Sequence, residues 1–230
     1  MENYEIIRDY SISKGVVDAL VFEPNEVVRV VINFTGMNPG KFDRWSWYYE
    51  KFKSNDKTLY ICLKDDEHLF FLNRDHCLDY IEQHVTFINS YLEKHSVSIE
   101  NVYTVGSSMG GYAAVFYAYR INAKAAIVSN PLVNRASASL HMYTLWTRKI
   151  DEVGEHFVRL HDYVARKKKT FVYLESGEYQ ADRVASLDLS LSLLRSGNSH
   201  CHVFTDHNEH TDTIGKEKLF MLLNVVGNMQ

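Results

Sequence analysis

The middle of the chain carries three features in succession: a β-branched run, a serine flanked by glycines, and a run of small residues. Segment 102–114 reads Val-Tyr-Thr-Val-Gly-Ser-Ser-Met-Gly-Gly-Tyr-Ala-Ala, which predicts a strand, a tight turn and a helix start. Gly106 and Gly110 stand two residues either side of Ser108, so strand and helix can pack closely and leave the hydroxyl exposed. This G-x-S-x-G arrangement is a nucleophile elbow. It predicts Ser108 as a catalytic nucleophile in preference to a merely structural turn.

Length and composition fit one compact domain. The chain has 230 residues, 46% of them hydrophobic, which is enough to bury a large core. No linker-like, low-complexity or repeated stretch divides it, so we predict a single domain over 1–230. The formal net charge of -4 gives no general reason to expect nucleic acid as a partner. The basic run Arg166 to Lys169 is interpreted as a solvated helix end.

The termini and the cysteines indicate the compartment. Residues 1–8 lack the basic start and apolar stretch of a signal peptide, and no apolar window approaches membrane-spanning length. We therefore expect a cytoplasmic protein without a membrane span. Cys62, Cys77 and Cys201 are an odd number without paired metal-ligand spacing. We expect reduced thiols, with Cys62 and Cys201 buried in or beside apolar strands.

Strand-like and helix-like runs alternate along the chain. Besides the elbow strand, strands are predicted at 17–22, 27–34, 59–63, 124–129, 170–174 and 202–204. The first two are expected to be neighbours joined by a turn at Pro24 and Asn25. Apolar residues at helical spacing are Leu78, Ile81, Val85, Ile88 and Leu92, then Val184, Leu187, Leu191 and Leu194, then Leu219, Leu222, Leu223 and Val226. The alternation predicts an α/β fold, a mostly parallel sheet with helices on both faces and functional loops at the carboxyl ends of the strands.

The order of elements around the elbow resembles the α/β-hydrolase superfamily over about residues 17–226. The resemblance implies a serine esterase or acyltransferase whose triad follows the chain order Ser, Asp or Glu, His. Segment 134–169 is predicted to be helical and lies where this family inserts its cap. Because the segment is short, we expect a minimal cap that leaves the serine open to a bulky or polymeric substrate. The arrangement is similar to that of small members that act on acetyl groups of glycans.

An acidic loop fills the second triad slot. The strand ending at Leu174 runs into a loop that contains Glu175, Glu178 and Asp182. Asp182 is the predicted acid, which would orient the imidazole and stabilise the imidazolium. Its position just before a helix is also typical of an N-cap, and Glu175 and Glu178 stay open as alternatives.

The histidine slot follows the last predicted strand. His207 and His210 both lie in that loop, and His210 is the predicted base because it sits deeper in the loop and Asp212 can start the next helix. His207 stays open as the alternative. His207, His210 and Asp212 make only a weak match to a zinc site, so no metal and no cofactor are expected.

Two backbone N–H groups must hold the developing oxyanion. One is predicted to be that of Met109, the residue after the nucleophile. The resemblance implies a second donor from the loop after an earlier strand, here Thr35 to Gly40, with Gly36 and Met37 as the contributors. The His-Gly-Gly-Gly signature of lipases is absent from this loop.

Aromatic residues beyond that loop bear on the substrate. Arg44, Trp45 and Trp47 are candidates for binding a sugar or another polar acyl acceptor, while packing of a helix face explains the same aromatics. The predicted function is hydrolysis of an acetyl-type carboxylic ester through an acyl-enzyme, with a small-molecule ester or acyl donor as partner. The alternatives are an O-acetyltransferase acting on a sugar or polysaccharide hydroxyl, and a non-catalytic binding module.

Overall fold

The computed structural model describes residues 3–38, 40–73, 77–142, 144–165 and 170–229. In this part of the chain, eight strands form one sheet in the order β1-β2-β4-β3-β5-β6-β7-β8. The strands β3 to β8 run parallel, and β2 pairs antiparallel with β1 and with β4. They are β1 (Ser11–Lys14), β2 (Val17–Phe22), β3 (Arg29–Phe34), β4 (Thr58–Lys64), β5 (Val102–Ser107), β6 (Ala125–Ser129), β7 (Phe171–Ser176) and β8 (His200–Phe204). The predicted mostly parallel α/β sheet is confirmed.

Helices cover both faces of this sheet. They are α1 (Asn3–Tyr10), α2 (Trp45–Lys53), α3 (Cys77–Lys94), α4 (Ser108–Ile121), α5 (Arg135–Ala138), α6 (Leu145–Val153), α7 (Leu160–Val164), α8 (Gln180–Arg195) and α9 (Lys216–Gly227). Successive β3 residues point to opposite faces. Val30 and Ile32 join a core cluster with residues of α3, α4 and α8, whereas Val31 joins a second cluster with α1, α2 and α9. The predicted two-sided layering is therefore correct.

The predicted pairing of the first two long strands is wrong. β4 lies between β2 and β3, with Leu20 opposite Cys62 on one edge and Ile32 opposite Ile61 on the other. The turn at Pro24 and Asn25 suggested a hairpin, but the chain crosses over through α2 and inserts β4. Apolar strand sequences do not encode which neighbour they choose, because every central strand of a parallel sheet is buried on both faces.

Several predicted burial patterns need correction. Leu187, Leu191 and Leu194 are exposed on α8, whose buried face uses smaller side chains together with Leu189 and Leu193. On α3 the first residue of the predicted apolar face, Leu78, is exposed, whereas Ile81, Ile88 and Leu92 are buried. Cys62 is buried as predicted, but Cys201 is exposed. The basic run Arg166 to Lys169 lies outside the described residues.

In the described part of the connection between β6 and β7, three short α-helices, α5, α6 and α7, occupy the segment predicted to be cap-like. The segment is anchored to the body of the protein: Tyr112 Oη donates to the Val158 carbonyl at 2.7 Å, and the ring of Phe70 packs edge-on against Phe157 at 5.2 Å. Among the described helices, none combines the length and the apolar character needed to cross a lipid bilayer.

Candidate active site

The predicted strand-turn-helix around Ser108 is present: β5 ends at Ser107 and α4 begins at Ser108. Ser108 has a φ of 55°, a left-handed conformation that is strained for a residue with a side chain. A Cβ added to Gly110 would lie 2.1 Å from the Phe34 carbonyl oxygen, and one added to Gly106 would lie 2.1 Å from the Gly110 oxygen. Only glycine fits at these two positions, and their close packing imposes the turn on Ser108.

His210 lies in the loop after β8 and meets the serine there. Ser108 Oγ is 2.7 Å from His210 Nε2, and the imidazole is 20% exposed. His207, the alternative, points elsewhere: its Nδ1 is 3.1 Å from Thr205 Oγ1 and its side chain is 45% exposed. Of the two histidines, the structure brings His210 to Ser108.

Asp182 completes a continuous chain of hydrogen bonds. His210 Nδ1 is 2.6 Å from Asp182 Oδ1, and because a carboxylate only accepts, Nδ1 carries the proton and Nε2 accepts from Ser108. Asp182 lies in the first turn of α8, whose N-cap is Tyr179, so it is not the N-cap. Burial raises the pKa of the Asp182 carboxyl above its ordinary value, although the hydrogen bond from His210 acts in the opposite direction.

The other two acidic candidates are turned away from His210. Glu175 is fully buried, where its Oε2 accepts from Tyr173 Oη at 2.8 Å and lies 2.5 Å from Lys218 Nζ. Glu178 is exposed, and its backbone N–H donates to the His207 carbonyl. The structure therefore joins Ser108 at the start of α4, Asp182 in the first turn of α8 and His210 in the loop after β8, all at the carboxyl edge of the sheet.

The loop after β3 approaches the elbow. An added Cβ at Gly36 would stand 3.3 Å from the Ser107 carbonyl oxygen. The Gly36 N–H, however, already donates to Asp43 Oδ2 at 2.7 Å, and Asp43 Oδ1 accepts from Asn38 Nδ2 at 3.0 Å. Asp43 thus fixes the shape of this loop and engages one of the two predicted oxyanion donors, while Met37 follows directly in the chain. Met109 is in the first turn of α4, where backbone N–H groups have no intrahelical acceptor.

An open cavity of about 370 Å³ surrounds Ser108 and His210. Its lining consists of Gly36, Met37, Asn38, Asp43, Ser107, Ser108, Trp146, His210, Thr211 and Asp212. The predicted substrate residues Arg44, Trp45 and Trp47 are not part of this lining. The Arg44 side chain, 5% exposed, pairs with Asp212, and both tryptophans pack against the core cluster beneath α2.

The cap-like segment contributes aromatic residues around His210 that were not predicted. The rings of His141 and Trp146 lie 4.8 and 5.7 Å from the His210 ring. Burial, with a smaller contribution from His210, lowers the pKa of the His141 imidazole to about 4, so it is neutral near pH 7. The sequence carries one weak signal for these residues, their place in the cap-like insertion, because neither lies in a motif.

One group of side chains in the described residues has the chemistry of a metal site. The ligand atoms of His141, Asp182 and His210 lie within 4.8 Å of one another. Both ring nitrogens of His210 already form hydrogen bonds, so a metal would have to displace Asp182 or Ser108. Asp212, from the metal set considered in the sequence, instead accepts from Arg44 and from Ser129 Oγ.

Comparisons with known proteins identify the fold. No protein-family model and no curated protein matches the sequence. The capsule O-acetyltransferase of Neisseria meningitidis serogroup A is similar with a TM-score of 0.71 and 13% identity, over 93% of this chain and 94% of that one. The fluorophosphonate-binding serine hydrolase F of Staphylococcus aureus is similar with a TM-score of 0.65 and 13% identity, over 95% of this chain and 97% of that one. A ferulic acid esterase is similar with a TM-score of 0.64 and 13% identity, over 94% of this chain and 95% of that one. The chain has the α/β-hydrolase fold, as its resemblance implied.

Proposed function

We propose that this protein is a serine-dependent acyl-transfer enzyme in which Ser108 attacks the carbonyl carbon of an ester. The observation that carries the proposal is the unbroken chain of hydrogen bonds from Ser108 through His210 to Asp182. Its three members lie far apart in sequence and meet at a strained elbow beside an open cavity. A nucleophile, a base and a group that orients the base, each within hydrogen-bond reach of the next, are what acyl transfer requires.

The roles follow from the protonation pattern. His210 Nε2 accepts the hydroxyl proton as Ser108 Oγ bonds to the carbonyl carbon, and the imidazolium that forms is stabilised by Asp182. The tetrahedral intermediate collapses when the bond to the leaving alcohol breaks, and His210 returns its proton to that alcohol. Water, deprotonated by His210, then attacks the acyl-enzyme and releases the acid and Ser108.

Two backbone donors are proposed for the oxyanion. Met109 supplies one N–H from the start of α4, where helix geometry leaves it without an acceptor and the helix dipole favours negative charge. Because Asp43 engages the Gly36 N–H, we assign the second donor to Met37. Losing one such donor typically lowers turnover by about a hundredfold or more.

Transfer to a sugar hydroxyl is the second candidate function. The cavity is open and includes polar side chains, among them Asn38, Asp43 and Thr211, which suit a polyhydroxylated acceptor. A likeness to a capsule O-acetyltransferase that covers both chains almost completely supports this alternative. Ser108, His210 and Asp182 would serve hydrolysis and transfer alike. The two reactions differ only in the second step, where a sugar hydroxyl instead of water attacks the acyl-enzyme.

The test is hydrolysis of p-nitrophenyl acetate by wild type and by matched variants. Ser108→Ala and His210→Ala should each lower kcat/KM by about a thousandfold or more, without adding to each other. Asp182→Asn should be milder, and His207→Ala, the matched histidine in the same loop, should remain near wild type. Hydrolysis that survives in Ser108→Ala, or equal loss in His207→Ala, would contradict the assignment.

The acceptor question needs a second readout. Disaccharide and polysaccharide acceptors are added to the same assay, and mass spectrometry follows acetylated sugar. Product that forms at the expense of free acetate indicates a transferase, and acetate alone indicates an esterase. A folded wild type that releases neither product favours a binding module of the same fold.

A further inference from the structure

His141 lies against the Asp182 and His210 pair. It follows α5 in the cap-like segment, and its Nε2 is 3.9 Å from Asp182 Oδ1. Its ring meets the His210 ring edge-on at 88°. The side chains of His141 and Asp182 are 4% and 1% exposed, so water has little access to either. A neutral donor has thus been buried beside a carboxylate.

Two buried polar atoms at this point lack a partner in the described part of the chain. They are Asp182 Oδ2 and His141 Nε2. A buried carboxylate with a single hydrogen bond is costly to keep ionised, and a buried ring N–H without an acceptor is costly as well. His141 Nε2 lies 3.9 Å from the other oxygen of this carboxylate, Oδ1, and a shift of about 1 Å would bring these two atoms to hydrogen-bond distance. That shift would give the His141 ring an acceptor and the Asp182 carboxylate a second donor.

We propose that His141 is a positioning residue for acyl transfer, one that donates a hydrogen bond from Nε2 to the Asp182 carboxylate when the two side chains move together during the reaction. The inference rests on the proposed function, because it concerns the same Asp182 and His210 pair. His141 touches neither the ester nor Ser108. It acts through Asp182, by holding that carboxylate ionised and aimed at His210 Nδ1.

A neutral histidine suits this role. His210 becomes positively charged during the reaction, and a second cation beside it would oppose that step. His141 is uncharged near pH 7, so it supports the carboxylate without competing with His210. A buried donor to the acid of a triad strengthens the orientation of the base at no cost in charge.

His141 is held in place by local contacts. The backbone N–H of His141 donates to the Ala138 carbonyl at 3.2 Å, and the backbone N–H of Met142 donates to Tyr179 Oη at 3.1 Å. Beyond these, the ring packs against Trp146 and Tyr179 at 5.9 and 5.3 Å. The ring is thus held by other rings, and among the described residues its Nε2 has no hydrogen-bond partner.

Two substitutions separate the donor from the shape of the side chain. His141→Phe keeps a ring of similar size in an aromatic surrounding but removes the N–H. His141→Gln can place an amide N–H close to the position of Nε2. With p-nitrophenyl acetate, His141→Phe should lower kcat about 10- to 100-fold with KM within about twofold, the effect expected for a lost hydrogen bond to a charged group. His141→Gln should recover most of that loss.

The matched control is another buried histidine. His84 is fully buried, and its Nε2 also lacks a partner among the described residues, but it lies on α3, where its ring packs against Tyr80 and Tyr117. His84→Phe should leave kcat unchanged. Thermal unfolding is measured for every variant. Should His141→Phe fail to fold, His141→Asn replaces it, because the shorter amide does not reach Asp182.

The outcomes are distinguishable. A wild-type kcat in folded His141→Phe, or an equal loss in His141→Gln and His141→Phe, overturns the role of His141 while Ser108-dependent hydrolysis by the wild type stands. A wild type without Ser108-dependent activity overturns the proposed function and this inference together. A loss of kcat in His141→Phe with rescue in His141→Gln supports the inference.

Discussion

Arg44 and Asp212 form an ion pair that joins two loops of the site. Arg44 Nη2 donates to the Asp212 carboxylate, and Nη1 donates to Asn33 Oδ1 at 3.3 Å. Asp212 is two residues after His210, and Arg44 directly follows Asp43, which holds the loop after β3. The pair therefore ties the loop of the proposed base to the loop of the proposed oxyanion donor. Arg44, predicted from the sequence to contact substrate, is held in this position by Asn33 and Asp212.

Removing this guanidinium should loosen both loops. Arg44→Gln should lower the free energy of unfolding by about 2 kcal/mol, less than for a fully buried pair because Asp212 is 31% exposed. It should also lower kcat, since His210 is no longer anchored through Asp212. Urea unfolding and ester hydrolysis measure the two effects. Arg135→Gln is the control, because Arg135 forms a comparable pair with Asp151 at the surface, and it should change neither.

A lysine at the same position should give an intermediate result. Arg44 uses two different nitrogens for its two partners, and a lysine amine does not span both. Arg44→Lys should therefore keep the charge but lose part of the activity. Wild-type stability and turnover in Arg44→Gln would show that the two loops are held independently.

The elbow should not tolerate a methyl group at Gly110. The added Cβ would lie 2.1 Å from the Phe34 carbonyl oxygen, which belongs to the backbone of β3 and has little freedom to move. Gly110→Ala should destabilise the protein by about 3 kcal/mol, the upper end of overpacking, and should reduce activity at Ser108. Gly215→Ala is the matched control, because its Cβ would meet nothing within 4 Å. Equal stability of the two variants would contradict the packing described for the elbow.

Stability should fall as the pH is lowered from neutrality. Burial lowers the pKa of His84 to about 4 from an ordinary value of 6.5. Between these values the unfolded chain binds more protons than the folded one, so the stability present above pH 6.5 is lost as the pH falls and the loss is complete below about 4. His84 alone accounts for roughly 3 kcal/mol. Urea unfolding at several pH values should show that the free energy of unfolding depends less on pH in His84→Phe than in wild type. Parallel pH profiles for the two proteins would refute the lowered pKa of His84.

Activity should not depend on a metal. Both ring nitrogens of His210 are engaged by Ser108 and Asp182, and the proposed reaction uses them in that state. Dialysis against EDTA should leave ester hydrolysis unchanged. Added Zn²⁺ should inhibit, because binding to His141, Asp182 and His210 would break the hydrogen bond between Asp182 and His210. Activity that is lost on chelation and restored by metal would instead favour a metal hydrolase.

Local features of the site were predictable, and tertiary ones were not. The glycines around Ser108 have one physical explanation, a close approach of helix and strand, so the elbow could be read from the sequence. The position of β4 between β2 and β3 could not be read from the sequence, because all three strands are apolar in the same way. The contact of His141 with Asp182 joins residues 41 positions apart through a short cap, and no sequence periodicity reports it.

The most direct test of the account is intact-mass labelling with a fluorophosphonate, which reacts covalently with activated serines. Wild type and Ser108→Ala are treated in parallel, after circular dichroism has shown that both are folded. The account predicts a single adduct on the wild type and none on Ser108→Ala. No adduct on the folded wild type, or an adduct that persists in Ser108→Ala, would contradict the claim that the chain of hydrogen bonds from Asp182 through His210 activates Ser108.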